Sequence, residues 1–310
     1  MKRRNLLFAL LVTALLILNL GVLLSAVPET SKVDGGCCSP GADLAKDFSA
    51  YYTAAWALLH SPSQVYSRGV SGNGAPDISP AAVQFKYLPS FLLIVSPLTA
   101  LPYGEALLAF DYLQFLLLPA IAALVYYLAR ERGLLATSAV AVAVLLLPLA
   151  IPAPQWTLSA SYYWQWAEGQ AKVLETFLLL LAFAFAKRGV PRAAGITLGL
   201  AFFDPRFALL GLPLMAAYGR DLRKTAVWTV ASLCVTNAAL AYPPTLGGFL
   251  SMVFTSGAST PPYYYAFIPL AAIGSLTLLE RREVAARMKA ALGQANASLT
   301  SYPWSRPRRS

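Results

Sequence analysis

Eight apolar runs, at about 5–27, 105–129, 134–151, 169–186, 192–204, 205–219, 225–243 and 263–279, succeed one another along the chain without strand-like alternation. As helices rising about 1.5 Å per residue, most of them approach the roughly 30 Å hydrocarbon core of a bilayer. A lipid-exposed segment must satisfy its own backbone, so runs lacking a period of two read as helices rather than as barrel strands. Composition agrees, with 57% of the 310 residues hydrophobic and only 12% charged, more apolar surface than a soluble core of this size buries. The expected fold is therefore all-α and integral to the membrane: a polytopic helical bundle of about eight transmembrane helices. Residues 1–279 make the membrane-embedded domain and 280–310 a basic cytoplasmic tail.

Lys and Arg set the orientation, because cytoplasmic loops retain them. They cluster at Lys2, Arg3 and Arg4, at Arg130 and Arg132, at Lys187, Arg188 and Arg192, at Arg220, Arg223 and Lys224, and after Glu280. All of these fall on one side if the segment 87–101, interrupted by Pro89 and Pro97, is not a span. That segment then belongs, as a re-entrant or interface-lying piece, to one long external loop at 28–104 that follows a retained signal anchor. Both termini are expected in the cytoplasm of a multi-pass cell-membrane protein. The short runs 192–204 and 205–219 allow one tilted span or two. Basic flanks at Arg192 and Arg220 favour two, meeting outside at Asp204 to Arg206. In the tail, Val284, Met288 and Leu292 share one helical face, which suits a helix lying on an anionic leaflet.

Several classes of function are excluded. The net charge of +10 arises from residues flanking apolar runs, not from a nucleic-acid-binding stripe. Cys37, Cys38 and Cys234 supply neither a disulfide framework nor a metal site, and His60 is the only histidine. No metal and no cofactor are expected. A transporter reading lacks the internal repeat that such folds carry.

The long external loop is where chemistry concentrates, since the other connections are short. Within it Phe48, Tyr51, Tyr52, Ala55, Trp56 and Leu59 recur at helical spacing, with Asp47 near the start of that juxtamembrane helix. Asp47 reads either as a cap favoured by the helix dipole or as a general base that deprotonates an acceptor hydroxyl. Asp43 is the second choice for either role. The external cations are few, and Lys86, Lys172 and Arg206 are placed to meet a lipid phosphate at headgroup level. The alternative for these is snorkelling or local pairing of Lys172 with Glu175 and Arg206 with Asp204. Between 155 and 170, Trp156, Tyr162, Tyr163, Trp164 and Trp166 suit an interfacial belt. They could instead form a sugar platform, with Gln165, Glu168 and Gln170 to bind hydroxyls. Gly195 and Gly199 form a small-residue pair for close helix packing.

Taken in order, several of these stretches resemble the polyprenyl-phosphate-mannose-dependent mannosyltransferases, glycosyltransferase family 87, within the GT-C superfamily. They are Asp47-Phe48-Ser49-Ala50-Tyr51-Tyr52-Thr53-Ala54, then Tyr66, then Phe85-Lys86-Tyr87-Leu88-Pro89, Ser96-Pro97-Leu98 and Leu101-Pro102-Tyr103, then Gly169-Gln170 and Ala194-Gly195-Ile196-Thr197-Leu198-Gly199-Leu200 before a charged turn. The resemblance implies a GT-C-like bundle and an inverting hexosyltransferase. It would move a hexose, mannose being the expected one, from a polyprenyl-phosphate donor to a lipid or glycan hydroxyl at the external face. Asp47 takes the place of the essential loop aspartate. Tyr51, Tyr52, Lys86, Tyr87, Glu168, Gln170, Asp204 and Arg206 become the substrate-binding set. Three positions depart from the family's habit: Leu88-Pro89 replaces a proline pair, Lys172 replaces an asparagine, and Asp204-Pro205-Arg206 replaces a lysine-proline turn. The chain is also shorter than typical members beyond that turn. These departures keep a second expectation open, a non-catalytic lipid-linked-sugar-binding or assembly protein on the same scaffold.

Overall fold

The computed structural model describes residues 2–31, 46–78, 83–145, 166, 169–255, 267–286 and 289. Their regular structure is helical, with no strand among the described residues. The long elements are α1 (Lys2–Ser31), α2 (Lys46–His60), α4 (Tyr103–Ala129), α5 (Leu134–Leu145) and α6 (Lys172–Arg188). They are followed by α7 (Pro191–Ala201), α8 (Pro205–Tyr218), α9 (Leu222–Thr236), α10 (Pro243–Thr255) and α11 (Phe267–Leu279), while α3 (Leu92–Val95) is a single turn inside the broken apolar segment Pro89–Ala100.

Asn5–Leu24 and Tyr103–Arg132 are long and apolar enough to cross a bilayer. On α1, Leu6, Leu10, Ile17 and Leu24 are exposed while Phe8, Leu15 and Leu23 turn inward. An aliphatic outer face of this kind fits lipid as the solvent. Asn19 on the inner face donates to the Leu145 carbonyl of α5 at 3.1 Å, so its amide nitrogen ties two helices.

At the centre stands α6, buried along nearly its whole length and packed by α4, α7, α8 and α11. Apolar residues on every side suit a helix with no free face. It ends at Gly189, whose positive φ of 74° lets the chain turn back while the Val190 N–H donates to the Phe185 carbonyl at 3.0 Å. The chain then returns through α7, turns at Phe202–Asp204 and descends again through α8, so 192–219 forms two helices rather than one.

The pair at Gly195 and Gly199 packs α7 onto α9. A Cβ on Gly195 would run into the Thr225 carbonyl and fall 2.6 Å from Trp228 Cβ, and one on Gly199 would fall 2.6 Å from Ser232 Cβ. The close approach is sealed by the Ser232 hydroxyl donating to the Ile196 carbonyl at 3.1 Å. Gly195→Val is expected to cost about 1–3 kcal/mol or more, because the obstacle is backbone rather than a yielding side chain. Gly274→Val, where an added Cβ meets nothing within 4 Å, is the neutral comparison. Thermal unfolding of the detergent-solubilised protein measures both, and equal melting temperatures would refute the packing role.

Two expectations need correction. The run 225–243 is not one helix: α9 stops at Thr236, where the Asn237 side-chain oxygen accepts from the Ser90 N–H at 2.9 Å, and a short 3-10 turn follows at Ala238–Ala241. Beyond it α10 forms where no span was expected. It docks on the segment that follows α2, with the Thr245 hydroxyl donating to the Pro62 carbonyl at 3.0 Å and the Phe249 ring 5.5 Å from that of Tyr66. The other correction concerns Val284, which is buried against the bundle rather than offered to a membrane surface, while Glu280 pairs with Arg132. Met288 and Leu292 lie outside the described side chains.

Charge is segregated between the two ends of the bundle. Near the end of α6, Lys187 pairs with Glu131 at 3.2 Å, beside the Arg132–Glu280 pair. At its start stands a different cluster, built on Lys172.

Candidate functional site

The start of α2 is fixed by aromatic packing. Phe48 lies 5.2 Å from Phe110 of α4, and Tyr51 meets Phe91 edge-on at 4.8 Å. Phe91 in turn lies 4.8 Å from Phe203 in the α7–α8 turn. Rings at such tilted and edge-on separations add about 0.5–1.5 kcal/mol per pair beyond their burial. The result is one aromatic block joining α2, the broken segment and the charged turn. The Leu88 N–H pins the same block by donating to the Phe203 carbonyl at 3.1 Å.

Gly169 explains why Gly-Gln stands where it does. Its φ is +63°, and a Cβ there would fall 2.6 Å from Phe48 Cβ and 3.0 Å from Leu107 Cδ1. Only glycine lets this backbone lie directly against the residue next to Asp47. Gln170, buried, and Lys172 follow at once.

Lys172 is the hub. Its ammonium, fully buried, donates to Glu175 Oε2 at 2.9 Å and to Asp204 Oδ2 at 2.6 Å. The ring of Phe207 lies 4.7 Å from it and that of Tyr87 5.2 Å. Arg206 grips the other side of Asp204, Nε to Oδ1 at 2.9 Å and Nη2 to Oδ2 at 2.7 Å. Asp204 also caps α8, accepting from the Arg206 backbone N–H. Both expected local pairs therefore form, and Asp204 joins them into one network.

Burial opposes the charge on Asp204, but Lys172 and Arg206 outweigh it and hold the carboxyl down at about 2. A carboxyl lowered below its ordinary value stabilises the fold above that ordinary value and ceases to do so as pH falls through the lowered one. Stability is thus expected to drop between about pH 4 and pH 2, and to drop less in Asp204→Asn, as read by melting temperature across that window. A flat profile in the unaltered protein would remove the network from the stability of the fold. For Tyr87, burial pushes the phenol up; Lys172 opposes this, while Asp204 and Asp47 add to it. Tyr87 therefore stays a neutral donor.

The sequence-predicted residues divide clearly. Asp47 lies in the first turn of α2, half-buried. Tyr51 donates toward the Tyr87 hydroxyl at 3.5 Å, so these two share one corner with the Lys172 network, and Asp47 stands one turn before Tyr51 on α2. Tyr52 instead donates to the Leu101 carbonyl at 2.6 Å, tying α2 to the loop. Lys86 is exposed beside Tyr87. Of the three cations considered for a phosphate, Lys172 is sealed by its carboxylates, whereas the Arg206 side chain is 55% exposed. Its guanidinium has five N–H donors, and those turned from Asp204 are open to a ligand. His60 stacks 4.4 Å from Trp56 and meets the Trp56 carbonyl through Nδ1 at 2.9 Å. Trp166 is fully buried, 6.5 Å from Phe115. Glu168, Asp43 and the rest of the 155–168 aromatic stretch lie outside the described residues.

Asp111 and Gln114, hidden within the apolar run 105–129, are not among the residues that hydropathy points to. Both are buried on α4, and Gln114 accepts from the Leu174 N–H of α6 at 3.4 Å. Asp111 Oδ1 has no hydrogen-bond partner among the described residues. Two polar residues one turn apart inside an apolar run were the available signal.

The model of glycosyltransferase family 87 matches residues 85–307. The chain belongs to glycosyltransferase family 87. No curated protein and no solved structure matches it. The match takes in Lys86, Tyr87, Gln170, Lys172, Asp204 and Arg206, and begins downstream of Asp47. In this glycosyltransferase residues 172 and 204–206, apart in sequence, meet in space: the Lys172 ammonium reaches the charged turn from α6.

Proposed function

We propose that this glycosyltransferase transfers a hexose, mannose, from a polyprenyl-phosphate donor to a lipid or glycan hydroxyl, working at the external face of the cell membrane. The observation that carries the reading is that Tyr51, one turn after Asp47 on α2, meets Tyr87, which lies against the Lys172–Asp204 network that holds the exposed Arg206. Asp47 accepts the proton of the acceptor hydroxyl as that oxygen bonds to the anomeric carbon. The bond from that carbon to the phosphate oxygen breaks on the opposite face, so the configuration inverts and polyprenyl phosphate leaves. Charge developing on the phosphate is met by Arg206 and Lys86, with Tyr87 and Gln170 as hydrogen-bonding support. The leaving group is a single phosphate, and side-chain cations suffice to balance it. Lys172 and Asp204 position Arg206.

About eight spans, cytoplasmic termini and an external loop at 28–104 complete this reading, in keeping with the segregation of the Lys187 and Lys172 clusters to opposite ends of α6. The direct test supplies the purified protein with radiolabelled polyprenyl-phosphate mannose and membrane lipid. An inverted mannosyl product is expected, and a cysteine at 47 should react with an impermeant reagent from outside. Cytosolic labelling of that position would end the proposal. A second reading, a binding protein without turnover, is favoured by one observation: Lys172 spends its charge on carboxylates. Bound polyprenyl phosphate with no transfer to any acceptor would establish it instead.

A further inference from the structure

At the end of the bundle away from Lys172, the close of α6, the start of α7, the close of α8 and the start of α9 enclose a cavity of about 130 Å³, with Arg188, Gly189, Arg220 and Asp221 in its lining. We propose that this cavity is a second, non-catalytic site for a phosphate group, carried by a phospholipid headgroup or free in solution.

Arg188 and Arg220 are exposed and make no ion pair or hydrogen bond among the described residues, unlike Lys187, Arg132 and Lys224 around them. Asp221 does not neutralise them. Its carboxylate is held by Lys224, Oδ2 to the ammonium and Oδ1 to the backbone N–H, each at 3.0 Å. The cavity therefore keeps two uncompensated guanidinium groups, whose planar forks match phosphate oxygens. The Arg220 stem runs beside Gly189, with its Cδ 3.8 Å from where a Cβ on that glycine would stand, an ordinary packing distance. Pro191 opens α7 with no side-chain cap, which leaves first-turn amides and the positive end of the helix dipole for an anion. Val190 and Leu222, flanking the lining residues, are exposed apolar side chains that an acyl chain would cover. That feature favours the lipid source.

The site is separate from the reaction. The 17 residues of α6 set Arg188 about 24 Å from Lys172 at roughly 1.5 Å per residue. Its test therefore stands apart from the transfer assay. Native mass spectrometry of the full chain in detergent is run with phosphatidylglycerol, with phosphatidylcholine and with inorganic phosphate. One tightly held phosphatidylglycerol is expected, and the double variant R188Q/R220Q should bind it about 100-fold more weakly, on the order of tenfold for each charge-assisted contact. R282Q, an exposed arginine outside the lining, should bind as the unaltered protein does, and monodispersity of each variant is checked by gel filtration. Protection of Arg188 and Arg220 from phenylglyoxal reports the source. Protection by phosphatidylglycerol alone assigns a headgroup, and equal protection by inorganic phosphate assigns a soluble ligand. Lipid retention unchanged in R188Q/R220Q, equal loss in R282Q, or protection by neither ligand overturns the site.

Discussion

Asp47→Asn is expected to lower turnover by about 10²–10⁴-fold, the usual contribution of a positioned general base, while leaving donor affinity nearly unchanged. The amide keeps the size and a hydrogen-bonding oxygen but cannot take the acceptor's proton. Loss of the charge from the first turn of α2 should cost only about 0.3–1 kcal/mol, so the variant remains folded. Donor binding is followed by quenching of intrinsic fluorescence and turnover by product formation. Retention of full activity would show that Asp47 serves only the helix. A fall in donor binding without a fall in turnover at saturation would give it a ground-state role instead.

Lys172→Met should destabilise the protein by about 3–5 kcal/mol, the range for stranding a buried partner of opposite charge. The reason lies in the inventory of the network. Glu175 and Asp204 are both buried, and Glu175 Oε1 has no hydrogen-bond partner even with the lysine in place. With the ammonium gone, Asp204 keeps Arg206 but the Glu175 side chain keeps no hydrogen-bond or ion-pair partner among the described residues. At roughly 2–4 °C per kcal/mol for domains of comparable size, melting should fall on the order of 10 °C. Lys172→Met with Glu175→Gln should recover part of that loss, because the stranded charge is removed as well. The same single change should weaken the donor more than the acceptor, since Asp204 would then orient Arg206 without its second cation. A melting temperature within about 1 °C of the unaltered protein would mean that Lys172 does not hold the cluster together.

How much of this was legible beforehand follows from the range over which each signal acts. Hydropathy located α1, α4 and α6, because burial along one helix is written in consecutive residues. It lost Asn237, where a side chain accepts from the Ser90 N–H 147 positions away and stops α9 early, and it lost α10, whose partner is the segment around Pro62 and Tyr66. Gly195 and Gly199 were readable as a packing pair, but not which helix they receive. Lys172–Glu175 and Asp204–Arg206 were legible because each pair lies within one turn of chain. The bond between Lys172 and Asp204, 32 residues apart, was not.

Sequence alone determined that the chain is helical and apolar-faced and that its basic residues cluster between the apolar runs. These properties depend on local composition and on helical period, which neighbouring residues carry between them. Only the tertiary structure decided that two anomalous positions form a single buried network, that Tyr52 ties backbone while Tyr87 faces Lys172, and that four helix ends enclose a pair of unpaired arginines. Such outcomes arise where side chains from distant segments meet at hydrogen-bonding distance, and close packing fixes those meetings only once every helix is in place.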